Sequence, residues 1–363
     1  MKIVFLASEC APYLKTGGLG DVVQALPEAL SKLPKVEVSV FLPYYSRIKY
    51  SGQWKTDFLG YFDVQLAWRR EYVGIFRLKT RKKKLQVYFL DNEQYFNRPS
   101  AYGYPDDGER FAYFSRACLE SLRYLGMQPD IVHCHDWQTA LVPMLLNMQY
   151  RGDFPNMRSI LTIHNIEYQG KYSLDILEDL FGISNNYRYL LEYQGCLNLM
   201  KGAIECAEKF STVSPTYAQE IKSAQYAHGL EDIIRKNAFK LSGILNGIDV
   251  DSYNPATDPS LFANYDADNF TNKAICKAEL QKMLGLPVKQ VPVIAMISRL
   301  VSHKGLDLVK AVIEDVLQDD VQFVLLGTGD AIYENYFKDL GRRYTGKAVS
   351  VIAFNGDLSR KIY

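Results

Sequence analysis

The chain has 363 residues, 48% of them hydrophobic and 23% charged, with 42 Lys plus Arg against 41 Asp plus Glu. At about 150 residues per domain this length predicts two α/β domains, or one large and one incomplete, and the composition excludes disorder and collagen-like architecture. A formal charge of +1 denies the chain the one-sign field of a non-specific nucleic-acid or anionic-membrane binder.

The run Lys2 to Ala7 predicts a first strand, and its apolar part stops at Ser8 and Glu9, far short of a signal-peptide core or the roughly 20 apolar residues of a membrane span. A cytoplasmic setting with no membrane contact is expected. Six scattered cysteines without a C-x-x-C spacing predict reduced, structural thiols. From Asp21 to Leu33, helical spacing puts Val22, Leu26, Ala29 or Leu30, and Leu33 on one face, with Pro27 expected to kink or strain the helix. A second strand follows at Val36 to Leu42, and alternation over 58–90 predicts β-hairpins with Arg81-Lys82-Lys83-Lys84 at a solvated turn.

Further buried strands are expected at Ile131-Val132, Ser159 to Ile163, Phe210 to Val213 and Ser242 to Leu245, each ending in polar or turn residues. In parallel sheets those carboxyl ends are where ligands bind. His133-Cys134-His135 closes the first of these strands, but alternate residues point to opposite faces and no further ligand spacing follows, so no metal is expected there. Asn254-Pro255-Ala256-Thr257-Asp258-Pro259 has loop composition and precedes a charged helical stretch from Phe270 to Leu284. The expected division is therefore a first domain over 1–250, a linker and charged helix over 251–290, and the start of a second domain over 291–363. That second domain carries strands at Val293 to Ile297, Val321 to Leu326 and Ala348 to Phe354 and a helix at Leu306 to Leu317. Three strands begin a sheet without finishing it.

The strongest local signal is Lys15-Thr16-Gly17-Gly18-Leu19-Gly20-Asp21, between the first strand and its helix. Glycines let a backbone approach a ligand, a helix amino end offers free N–H groups to a diphosphate, and Lys15 adds a mobile charge. The turn matches neither the dinucleotide-binding G-x-G-x-x-G nor the P-loop, and taken alone it serves equally as a bland tight turn. In the second domain Arg299 and Lys304 follow a strand and can converge on one anion, and Leu326-Gly327-Thr328-Gly329-Asp330 is a third anion-friendly turn. Surface charge and loop glycines are the bland alternative for each. His135-Asp136-Trp137 and Thr162-Ile163-His164-Asn165, both after strands, offer hydrogen bonds and an aromatic plane suited to a sugar.

Taken in order, K-T-G-G-L-G-D-V, H-D-W, T-I-H-N-I-x-Y-Q-G, L-N-G-I-D and S-R-L-x-x-x-K-G-L-D-L resemble the bacterial glycogen synthases and related starch synthases, along the whole chain. The resemblance implies an α/β, GT-B architecture, two Rossmann-like domains facing each other across a cleft, with the second domain incomplete in this chain. It implies transfer of glucose from ADP-glucose to the non-reducing end of an α-1,4-glucan with retention, no cofactor and no required metal. Position by position, it implies donor binding by Lys15, Gly17, Gly18, Asn246, Arg299, Lys304 and Gly327, with Phe354 roughly at the aromatic that stacks on adenine. His164 matches the residue placed against the transferred glucose, so that His164, Arg299 and Lys304 are the candidate catalytic residues. Asp136, Trp137 and Asn165 match neighbours in the cleft, and Glu9, Asp21 and Tyr95 fall where the family lines the acceptor side. Asn355-Gly356-Asp357 departs from the usual acidic pattern. The family's S-R-x-E-P-x-G-L segment, with the glutamate its catalysis needs, is not reached in this sequence, and a fragment is expected. Two other readings stand beside this one: a short non-catalytic homologue that binds glucan or nucleotide sugar, and a GT-B transferase that uses UDP-glucose.

Overall fold

The computed structural model describes residues 1–363 and divides into two compact units, Met1–Ile248 and Asp249–Tyr363. In the first unit the strands, in chain order, are β1 (Lys2–Leu6), β2 (Glu37–Pro43), β3 (Thr56–Leu66), β4 (Arg69–Leu78), β5 (Leu85–Asp91), β6 (Ile131–His135) and β7 (Arg158–Ile163). They continue with β8 (Lys171–Tyr172), β9 (Glu192–Tyr193), β10 (Cys196–Asn198), β11 (Lys209–Thr212) and β12 (Leu241–Gly243). Nine of them form one sheet in the order β12-β11-β7-β6-β1-β2-β5-β4-β3, and β8, β10 and β9 form a small second sheet. Pairing is parallel from β12 to β5, whereas β4 and β3 close that edge as an antiparallel hairpin. The central strands read as continuous apolar runs because both of their faces are covered: Val4, Phe5 and Leu6 of β1 and Val40, Phe41 and Leu42 of β2 are all buried.

The helix expected after β1 runs Gly18–Ser31 and buries Leu19, Gly20, Val23 and Pro27. Its buried stripe therefore differs from the expected one by a residue. The helix starts three positions earlier than its hydrophobic pattern suggests, so the i, i+4 row facing the sheet is Leu19, Val23, Pro27, while Leu33 lies beyond the helix and is exposed. Pro27 sits inside an unbroken helical span. The basic run Arg81–Lys84 occupies the exposed β4–β5 connection, where Lys82 pairs with Glu28 at 2.6 Å.

In β12 the pairing ends at Gly243, short of the expected Leu245, and Ile244, Leu245 and Ile248 are exposed. The chain winds from β1 through β2 to β5 on one side and from β6 through β7 and β11 to β12 on the other. Strand order thus reverses between β1 and β6, and the carboxyl ends of these two strands are where open parallel sheets bind ligands.

The second unit begins at Asp249, so the 251–290 segment belongs to it and is not a free linker. Within it the helix Thr271–Met283 is tied in by Gln281, whose amide donates to Gln322 Oε1 at 2.7 Å, and by Leu280, which packs with Leu326 and Leu358. Three parallel strands, β13 (Val293–Ile297), β14 (Gln322–Leu326) and β15 (Ala348–Val351), stand side by side in that order. The helix Leu306–Val316 covers them with Leu306 and Ile313.

Candidate active site

After β1 the chain enters Ser8 and Glu9, turns through Lys15 to Gly17 and starts a helix at Gly18. Glu9 is only 4% exposed, and its carboxylate accepts the Thr16 main-chain N–H, so it anchors the glycine turn from below. Burial raises its pKa against the pull of the Thr16 and Gly17 N–H donors, and the Asp136 charge pushes the same way. Lys15 Nζ pairs with Asp21 Oδ1 at 2.7 Å, which makes Asp21, expected on the acceptor side, the partner of the glycine-turn lysine. A Cβ built on Gly17 or Gly18 meets nothing within 4 Å, and neither residue has a positive φ. Neither packing nor backbone geometry asks for glycine at these positions. The free space lies over the first N–H groups of a helix that has no side-chain cap, where an anion is favoured.

At the carboxyl end of β6, strand alternation turns His133 and His135 to one face, beside Phe5 of the paired β1. The three rings cluster around His135, which stacks on His133 with centroids 4.4 Å apart and on Phe5 at 5.6 Å, while Phe5 is tilted against His133 at 4.8 Å. His133 Nε2 meets Thr162 Oγ1 at 2.7 Å, and that hydroxyl meets Ser211 Oγ at 2.9 Å. His135 Nδ1 lies 3.0 Å from His164 Nε2, the latter residue standing just past β7. Burial depresses all three imidazoles, His133 to about 3 and His135 well below the ordinary value, with neighbouring histidines adding to both. For His164 burial is again the larger cause, partly opposed by Asp136.

Asp136 has φ 54 and ψ −171, a region other residues leave to glycine, at a cost of about 1–3 kcal/mol. The strain is offset by what the turn achieves: Asp136 Oδ1 accepts the His164 N–H at 2.7 Å and faces the Asn165 N–H at 3.4 Å. One carboxylate thus fixes the next strand's polar loop. Burial raises its pKa, while His164 and the two N–H donors lower it.

Trp137 and Tyr95, expected in the cleft and on the acceptor side, are held by neighbouring side chains. Trp137 packs edge-on against Phe111 at 5.3 Å, and a Cβ on Gly170 would stand 2.8 Å from its ring, so the indole is locked between neighbours. Tyr95 is 1% exposed, with its hydroxyl donating to Glu109 at 2.7 Å and its ring against Tyr113. Those contacts belong to the core, and none is with the histidines or the glycine turn. Asn246 is exposed after β12.

Sequence reading missed Ser211, which meets Thr162 behind His133, and Tyr102, whose hydroxyl meets Ser8 Oγ at 2.6 Å. It also missed Tyr217, whose hydroxyl accepts the Ile166 N–H at 3.0 Å. The β7–β11 pairing could have pointed to Ser211, because Thr162 and Ser211 are register partners. No local pattern marks Tyr102 or Tyr217.

In the second unit Arg299 and Lys304 are exposed, on either side of the short turn that leads through Gly305 (φ 71) into the helix Leu306–Val316. Gly327 has a packing reason instead of the expected ligand one, since a Cβ there would stand 2.0 Å from Ser298 O. Gly329 likewise abuts Leu300 O, and its N–H donates to Glu334 at 3.0 Å, so this turn's donor is already used. Phe354 is 71% exposed, next to Asn355, which caps the helix Gly356–Ile362. No group of three or more His, Cys, Asp or Glu side chains is arranged to hold a metal ion, and no helix is long and apolar enough to cross a membrane.

A model of the starch synthase catalytic domain matches residues 2–236. Glycogen synthase from Clostridium acetobutylicum is 46% identical over all of this chain and 77% of its own length, and that from Streptococcus equi subsp. equi is 47% identical with the same coverage. Among solved structures, the catalytic domain of starch synthase IV from Arabidopsis thaliana, bound to ADP and acarbose, superposes with a TM-score of 0.91 at 35% identity, covering 99% of this chain and 76% of that one. Fold and strand-end site together define a hexosyltransferase of the α/β, GT-B class. Within that class, the chain belongs to the starch synthase family that includes the bacterial glycogen synthases.

Proposed function

We infer that the protein transfers glucose from ADP-glucose to the non-reducing end of an α-1,4-glucan with retention of configuration, releasing ADP. The observation that carries this reading is the group of prearranged polar side chains at the carboxyl ends of β1, β6 and β7. There an uncapped helix start beside two glycines without a packing role follows β1, and the Glu9 beneath it feels the charge of Asp136 in the Asp136–His164 turn. ADP in the related starch synthase IV structure supports adenine over uracil. Six free cysteines, four of them buried, support a reducing, cytoplasmic setting.

In this reading Arg299 and Lys304 of the second unit meet the charge that grows on the leaving diphosphate, and in the first unit Lys15 and the helix N–H groups after Gly17 and Gly18 make an anion-favouring turn. His164, Asp136 and Asn165 hold the sugar side. Glu9 and Asp21 act by positioning, the first through Thr16 and the second through Lys15. Competition between ADP and UDP for the protein, followed by titration calorimetry, tests the donor. Tighter binding of ADP is expected; a preference for UDP overturns the donor assignment, and binding of neither overturns the transferase reading.

Gly18→Ala separates ligand space from folding. With nothing near its Cβ, the variant is expected to unfold at the same temperature as the parent or above it, gaining up to ~1 kcal/mol from a stiffer unfolded chain and better helix propensity. Its ADP affinity is expected to fall about tenfold, the worth of one displaced hydrogen bond to a charged group. A variant that loses stability, or keeps its ADP affinity, contradicts the role given to this turn.

A further inference from the structure

We propose that His135 fixes His164 as the neutral tautomer protonated on Nδ1, so that His164 meets its ligand as a hydrogen-bond donor and not as a base. The inference deepens the transferase reading and rests on it only for the identity of that ligand.

A single proton lies between His135 Nδ1 and His164 Nε2, 3.0 Å apart. The neighbourhood decides whose it is. His135 is wholly buried, and its other ring nitrogen, Nε2, has no hydrogen-bond partner. If His164 donated from Nε2, a neutral His135 would have to carry its own proton on Nε2, leaving a buried N–H without an acceptor. If His135 donates from Nδ1, only a lone pair is left unused on Nε2, beneath the stacked rings of Phe5 and His133. Buried N–H groups without acceptors are rarer and costlier than unused lone pairs. A doubly protonated His135 is opposed by complete burial and by two neighbouring imidazoles.

His135 is therefore the donor and His164 Nε2 the acceptor. An imidazole that accepts at Nε2 holds its proton on Nδ1. Asp136 leaves this arrangement in place, because its Oδ1 is engaged by the His164 main-chain N–H at 2.7 Å. The outcome is a ring with one nitrogen occupied and the other able only to donate, suited to an oxygen lone pair on a bound sugar and unable to take a proton from an acceptor hydroxyl. His135 is a positioning residue acting through His164.

The test is a long-range proton–nitrogen NMR spectrum of the free protein labelled on its five histidines, with His164 assigned from its loss in His164→Ala. His164 is expected to show a protonated Nδ1 and a bare Nε2. His135→Asn keeps a donor at the place of Nδ1 and is expected to preserve that pattern. His135→Leu removes it and is expected to shift His164 towards the other tautomer, with kcat about tenfold lower, the worth of one hydrogen bond, at little change in KM. A His164 protonated on Nε2 in the parent protein, or a pattern unchanged in His135→Leu, overturns the proposal. Should His135→Leu not fold, the parent spectrum decides alone. Because the spectrum needs no substrate, failure to bind ADP or to transfer glucose counts against the transferase reading and not against the tautomer.

Discussion

Replacing Arg299 or Lys304 with alanine is expected to lower glucosyl transfer by 10²- to 10³-fold each, about 2.7–4 kcal/mol of barrier. As the bond from the anomeric carbon to phosphate breaks, negative charge concentrates on the diphosphate, and a cation prearranged near it gains most at that moment. Both side chains are exposed in the second unit, so with alanine the folded state is expected to keep its stability within about 0.5 kcal/mol. ADP release assayed at saturating donor, together with thermal unfolding, separates the two effects. Arg299→Lys is expected to recover only part of the rate, because a point charge replaces a two-pronged fork. Full activity in either alanine variant would remove that residue from the mechanism.

How far the sequence could be read differs between parts of this site. The strands were legible because parallel strands covered on both faces are short apolar runs with polar ends, and the residues at those ends, His135, Asp136, His164, Arg299 and Lys304, follow directly. Spacing alone does not say whether a glycine serves a ligand or a neighbouring chain. Gly17 and Gly18 have open space, whereas Gly327 and Gly329 are required by the carbonyls of Ser298 and Leu300, some 30 residues away. Tyr95 illustrates the same limit, since its partner Glu109 sits on a different helix and makes a core residue of an apparent surface tyrosine. The helix after β1 was displaced by a residue because its start is set by the glycine turn, which Glu9 holds from beneath, and not by its apolar pattern. His135 could be seen as part of a motif, but its bond to His164 depends on two strands pairing in one register.

The histidine stack is expected to make the first unit lose stability steeply as pH falls from about 6.5 towards about 5. His133, His135 and His164 all have pKa values below the ordinary 6.5 because burial disfavours their charged forms. In the unfolded chain they titrate normally, so below pH 6.5 the unfolded state binds protons that the folded state refuses. Stability from this source is complete above the unfolded value and declines with falling pH, approaching roughly 1 kcal/mol per pH unit for each group. For His133 the decline continues until the folded value of about 3 is reached. Asp136 and Glu9 act in the opposite sense, since burial raises their carboxyls and the folded state then binds protons more tightly than the unfolded one. Their contribution spans the range from the ordinary carboxylate values of 3.8 and 4.5 upward to their raised folded values, and it offsets part of the imidazole decline at the acid end of the window. All three tryptophans, Trp54, Trp68 and Trp137, lie in the first unit, so urea unfolding followed by their fluorescence reads this unit alone. A His133→Phe variant, which keeps a ring against Phe5 but cannot take a proton, is expected to flatten the decline by about one group's share. Equal stability at about pH 7 and about pH 5.5 would mean that the three rings are not held neutral.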